Sequence, residues 1–194
     1  MKSIIILFLL ATISCLGQKT KSNKRPKINI DDSSCVWRDK MSFNQRSEMY
    51  PYNVSEKVVL ATYLQQKDGI VGGEMMSYFN SLKENRSLFD KTRFKDYVEI
   101  NSSQVGELTN IIFNYGYKKD DGLRGMSGCY MPNNAILFLD KDDNLLEFIE
   151  ICFDCGSFRA SKEAINLGED CDAKMNLLSE FFISSGIAKT YFTR

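Results

Sequence analysis

The stretch from Cys129 to Gly156, CYMPNNAILFLDKDDNLLEFIEICFDCG, constrains the fold of this chain more than any other. Asn134 to Leu139 is an apolar run, and Leu145 to Phe153 is a second, rich in Ile, Leu and Phe. Between them lies Asp140-Lys141-Asp142-Asp143-Asn144, a cluster of turn formers, so the block reads as a β-hairpin over 134–153. Ile136 and Phe138 alternate with Leu137 and Leu139. Apolar side chains on both faces predict a central strand pair that is covered on both sides. A two-residue turn at Asp142-Asp143, or a four-residue loop from Lys141 to Asn144, sets Ala135 opposite Glu150. Continued outward, the same ladder brings Cys129 opposite Gly156 and beside Cys155, with Pro132 bending or ending the first strand. Asp140, Asp142 and Asn144 stand at the first, third and fifth positions of a calcium loop. Leu145 and Ile151 replace the Gly and Glu that such a loop needs, so an EF-hand is excluded.

The N-terminus reads as a targeting segment. Lys2 supplies a positive start, and Ile4 to Ala11 is an apolar stretch too short to span a bilayer. Residues 1–14 are expected to be a lipoprotein-type signal peptide, with lipidation of Cys15 in Thr12-Ile13-Ser14-Cys15. Ordinary cleavage after Gly17 is the competing site. An acylated Cys15 would hold the protein on a membrane. Residues 15–33 are expected to be a basic, flexible tether, because Gln18 to Lys27 (QKTKSNKRPK) has five basic residues, no acid and nothing to bury. The expected location is the bacterial cell envelope, lipid-anchored or secreted to the periplasm.

Residues 34–194 are long enough for one domain with a real core. The whole chain has 25 basic and 25 acidic residues; without Lys2 and the tether, 19 basic face 25 acidic. An acidic body on a basic leash offers no electrostatic footprint for nucleic acid. Val54 to Tyr63 reads as a strand buried on both faces, with a helix as the alternative. Glu74 to Lys83 has the spacing of a short amphipathic helix. Tyr97 to Ile100 reads as a short strand. Gln104 to Asn114 carries a stripe of Val105, Leu108, Ile111 and Ile112, capped by Ser102 or Ser103 and ended by Gly116. Ser157 to Asp170 is polar, and Asp172 to Ser184 is a last helix that stops at Gly186. The fold class that follows is α+β: a small antiparallel sheet centred on the 134–153 hairpin, packed with two or three helices.

The chain has no histidine, which removes Ser-His-Asp and Cys-His catalysis and every metal site that needs imidazole. Gly69-x-x-Gly72-Gly73 is too loose to be a phosphate cradle, and three Asn-x-Ser/Thr sites at Asn53, Asn85 and Asn101 read as chance. Chemistry therefore falls to the cysteines beyond the leader: Cys35, Cys129, Cys152, Cys155 and Cys171. Three readings stay open. They form structural disulfides, as suits an exported protein, with Cys129–Cys155 the pair favoured by register and Cys152 either free or paired with Cys171. Alternatively Cys129, Cys152, Cys155 and Cys171 hold a metal. A single C-x₂-C is a weak zinc signal, and Met126 and Met131 beside Cys129 would suit copper(I). The third reading is thiol redox through Cys152-Phe153-Asp154-Cys155. No cofactor is expected unless the cysteines bind zinc or copper.

The block Cys129-Tyr-Met-Pro132, Ala135-Ile-Leu-Phe-Leu-Asp140 and Ile151-Cys152-Phe-Asp-Cys155 resembles a group of small exported bacterial proteins. Many of that group look like lipoproteins, and they share a Cys-x-x-Pro, a hairpin and a Cys-Phe-x-Cys. Members often carry Arg or His just after the proline, where this chain has Asn133 and Asn134. The resemblance implies that the three cysteines act as one unit and carries no activity with it. The function expected is that of a lipid-anchored envelope protein that binds or scaffolds and is stabilised by its cysteines. The alternative is a metal-binding or thiol–disulfide redox protein using Cys129, Cys152 and Cys155.

Overall fold

Strands that are apolar on both faces can be stable only inside a sheet with a layer on each side, and that is how the chain folds. The computed structural model describes residues 35–64, 73–117, 130–169, 171–188 and 190. The expected signal peptide and tether, together with Cys129 and Met126, lie outside the described residues. In chain order the elements are β1 (Cys35–Trp37), α1 (Phe43–Ser47), β2 (Lys57–Tyr63), α2 (Gly73–Glu84), β3 (Phe94–Ile100), α3 (Ser102–Asn114), β4 (Tyr115–Tyr117), β5 (Asn134–Leu139), β6 (Leu145–Cys152), β7 (Ser157–Ala160) and α4 (Asp172–Ser184). The main sheet is antiparallel, ordered β3-β2-β5-β6-β7, and a separate ribbon pairs β1 with β4. The α+β class with the hairpin at its centre is therefore the observed architecture.

The hairpin register is the expected one over most of its length, with Ala135 opposite Glu150 and Asn134 opposite Ile151. It slips by one residue between Phe138 and Leu139. The turn differs from both expected forms. Asp140 N–H donates to the Asn144 carbonyl, and Asp143 takes a left-handed backbone with φ of 64°. That is a three-residue loop with an αL residue at its third position, whose extra residue the bulge absorbs. Two features bias the chain toward it. The Asp140 carboxylate accepts from the Asp142 and Asn144 N–H groups, and Lys57 holds Asp143 at 2.5 Å.

On one face, Leu60, Ile136, Phe138 and Ile149 pack under α3 and α4, which contribute Leu108, Ile111, Leu178 and Phe182. On the other, Val59, Leu137, Leu139 and Phe148 meet α2 through Met75, Phe79 and Leu82. The double burial of β2 excludes the helix alternative. β7 was not legible as a strand: Ser157–Ala160 pairs with Ile149–Cys152, but as an edge strand it is only partly buried and carries little apolar pattern. The cap of α3 is Asn101, in a reciprocal capping box with Gln104, in place of Ser102 or Ser103. Gly116 does not stop that helix. It lies in β4 opposite Val36, where a Cβ would stand 2.6 Å from the Glu169 carboxylate. Glu169 binds Arg38 and Lys40, whose hydrogen bonds and charge hold its carboxyl down at about 2. Lys174, fully buried, donates to the Ile112 carbonyl at 2.7 Å and so satisfies an orphan of the last turn of α3.

Glu147 draws donors from several elements around the hairpin. It is 1 % exposed in β6 and receives the Tyr50 hydroxyl, Arg86 at 2.9 Å, the Ser161 hydroxyl and Lys162. Burial pushes its carboxyl up, but the hydrogen bonds from Lys162, Ser161 and Tyr50 with the charge of Arg86 overcome that and hold it below the ordinary value. Glu147→Gln should destabilise the protein by about 3 kcal/mol at neutral pH, at the low end for a broken buried ion pair because the cations reach water. A depressed carboxyl contributes stability above its unfolded pKa and loses it as pH falls through the folded value. Urea denaturation of the two proteins should therefore show the gap closing in acid. An equal gap at all pH values would contradict this account.

Candidate functional site

β6 ends in a tight reversal that carries the C-x-x-C motif. Phe153 to Gly156 form the turn, with Cys155 N–H donating to the Cys152 carbonyl and Gly156 N–H to that of Phe153. Gly156 takes the left-handed conformation, φ 64°, that a turn of this kind requires before β7 begins. The two cysteines lie within this one turn, 5.2 Å apart at Cα, and are joined by a disulfide. A second disulfide joins Cys35 to Cys171, 6.2 Å apart at Cα, and ties β1 to the start of α4. These pairs correct the sequence-based ones. Cys155 bonds Cys152 rather than Cys129, and Cys171 bonds Cys35 rather than Cys152. Cys129 itself lies outside the described residues. The motif sits in a hairpin turn and not at a helix N-terminus, so a helix dipole does not act on it.

The two sulfurs of the turn differ in access. Cys152 is 1 % exposed, while Cys155 is half-buried at the surface. Each accepts a backbone hydrogen bond: Cys155 N–H donates to Cys152 Sγ at 3.2 Å, and Met131 N–H donates to Cys155 Sγ at 3.3 Å. On reduction these donors would favour thiolates, which is what a reactive cysteine needs where no helix supplies a field. The chain between Cys129 and the hairpin thus reaches the turn at Met131.

Side chains alternate along β6, so Glu150 shares a face of the sheet with Cys152, two residues on. Glu150 is 1 % exposed. One carboxylate oxygen is 3.4 Å from Lys83 at the end of α2, and the other, buried, has no hydrogen-bond partner. Burial raises its carboxyl above the ordinary value, with Lys83 and Arg159 opposing. Arg159 lies directly across on β7 and stacks 3.8 Å over the Tyr130 ring. The Tyr130 hydroxyl donates to the Glu150 carbonyl at 3.3 Å, and burial pushes that phenol up, keeping it a neutral donor. The site is a half-exposed disulfide with a buried, partly unsatisfied acid two residues back from its inner cysteine, on the same strand face.

Sequence reasoning found the C-x-x-C but not Glu150, Lys83 or Arg159. The readable signal was a pair of glutamates inside an otherwise apolar strand, since buried carboxylates are rare unless they are paired or working. Among the described residues no group of three or more Cys, Asp or Glu side chains is placed to hold a metal ion, and Cys152, Cys155 and Cys171 are engaged in disulfides. Comparison with protein-family models, with curated proteins and with solved structures finds no match to this chain.

Proposed function

We propose that this is a lipid-anchored protein of the bacterial cell envelope whose Cys152–Cys155 pair cycles between disulfide and dithiol by exchange with thiols of other molecules. The observation that carries the reading is the contrast between the two disulfides. Cys35–Cys171 spans 136 residues, and its closure removes chain entropy worth about 5 kcal/mol. Cys152–Cys155 spans three residues, contributes about 2 kcal/mol by the same measure, and leaves Cys155 open to solvent. A bond that contributes little to stability and presents one sulfur is suited to exchange. Lys2 followed by the apolar stretch Ile4 to Ala11 supports export, and the lipoprotein resemblance supports acylation of Cys15.

Dithiothreitol should reduce Cys152–Cys155 in the folded protein and spare Cys35–Cys171, as read by mass spectrometry of alkylated peptides. Cys35→Ser should lower stability by about 3–5 kcal/mol, and the double variant Cys152→Ser/Cys155→Ser by about 2 kcal/mol or less. A Cys152–Cys155 bond that yields only when the protein unfolds would favour the other reading, a binding or scaffolding domain in which both bonds are structural. That second reading draws on the Cys35–Cys171 closure. Stoichiometric uptake of zinc or copper(I) by the reduced protein would instead point to metal handling by the freed thiolates.

The anchor is tested separately. Cys15→Ala should release the protein from membranes into the soluble fraction. Wild-type protein that is already soluble and begins at Gln18 by N-terminal sequencing would overturn acylation.

A further inference from the structure

We propose that Glu150 is the proton store of the Cys152–Cys155 couple, giving a proton to the buried Cys152 sulfur when the disulfide opens and taking it back when the disulfide closes. The inference rests on the exchange reaction proposed above. An incoming thiolate can reach Cys155, which is half-buried, and not Cys152, which is 1 % exposed. Attack on Cys155 Sγ forms a mixed disulfide there and breaks the S–S bond, and the electron pair leaves on Cys152. A thiolate created out of reach of water is costly unless it is protonated or well paired. One backbone N–H, that of Cys155, faces this sulfur.

Glu150 is placed to relieve that cost. Residues two apart along a strand lie about 6.7 Å apart at Cα on one face, a gap that a glutamate side chain crosses directly or through one water. Its second oxygen has no partner, so it is open to carry a proton toward the sulfur. The groups facing it are Lys83 from α2, Arg159 from β7 and Tyr130 from the segment before β5. Lys83 and Arg159 compensate the carboxylate once the proton has left, and burial restores the acid when the proton returns.

The steps balance. In the opening direction the Glu150 carboxyl protonates the Cys152 thiolate and becomes a carboxylate. A second thiolate then attacks the partner's sulfur in the mixed disulfide, releasing the partner disulfide and leaving Cys155 as a thiolate beside the Met131 N–H. Two thiols are oxidised and one disulfide is reduced. In the closing direction the Glu150 carboxylate removes the Cys152 proton, the new thiolate attacks Cys155 of the mixed disulfide, and the partner leaves as its thiolate.

The test follows reduction of the oxidised protein by dithiothreitol across pH, with each rate divided by the concentration of dithiothreitol thiolate. The wild-type corrected rate should be high in acid and fall as pH rises through a single inflection above the ordinary carboxylate range. Glu150→Gln should be slower in acid by about 10²-fold, the lower end of general-acid effects, and its profile should be flat. Lys83→Gln should keep the inflection and move it to higher pH, because it removes the cation that favours the carboxylate. This variant also keeps the test informative if Glu150→Gln folds poorly. An inflection that both variants leave unchanged would overturn the role of Glu150 while leaving exchange intact. A folded wild-type protein that dithiothreitol does not reduce would instead overturn the exchange reading itself.

Discussion

The rest of the structure depends on the burial of β2, β5 and β6 on both faces. Three neighbouring strands with no solvent side cannot exist alone. One face requires α3 and α4, and the other requires α2. The edge strands β3 and β7 are the more exposed ones, as sheet edges must be. The order of the chain follows from this demand. The β5–β6 hairpin is local, but its covers come from segments on both sides of it in sequence, and Cys35–Cys171 joins the beginning of the described chain to its last helix.

Within that apolar frame β6 carries two carboxylates, three residues apart, that meet opposite treatment. Glu147 is surrounded by four donors and held below its ordinary pKa. Glu150, on the other face, has a single cation at 3.4 Å and an unpartnered oxygen, and it is pushed up. Both are 1 % exposed, but Glu150 lies deeper among protein atoms and has fewer donors, so depth and donors both separate them. Saturating a buried acid makes it a structural pin. Leaving it half satisfied stores an imbalance, which is why environments that separate two like groups so often mark a working end. The disulfides divide in the same way, one spanning most of the domain and one closing a single turn.

At the cysteine turn the backbone donors come from a strand end and the segment before β5, not from a helix. The Cys155 N–H donates to Cys152 Sγ and the Met131 N–H to Cys155 Sγ. The strand alternation then places the inner sulfur and Glu150 on one face without any loop to position them. Tyr130, just before β5, is stacked under Arg159 and donates to the Glu150 carbonyl.

Alternation and turn chemistry were enough to read the hairpin, its register over Asn134–Phe138, the double burial of β2, and the helices α2, α3 and α4 directly from sequence, because each is written in contacts between near neighbours. The turn type escaped, since the αL residue is Asp143, whose conformation is secured by Lys57 from a strand far away in sequence. β7 escaped because an edge strand borrows its pairing from β6 and needs little pattern of its own. The cysteine partners were decided only by the tertiary structure. Nothing local relates Cys35 to Cys171 until α4 packs on the sheet and the β1–β4 ribbon docks at the end of α3. The same holds for Glu150: its place in β6 is in the sequence, but whether a buried acid is saturated or left one donor short depends on which side chains the completed fold brings to it.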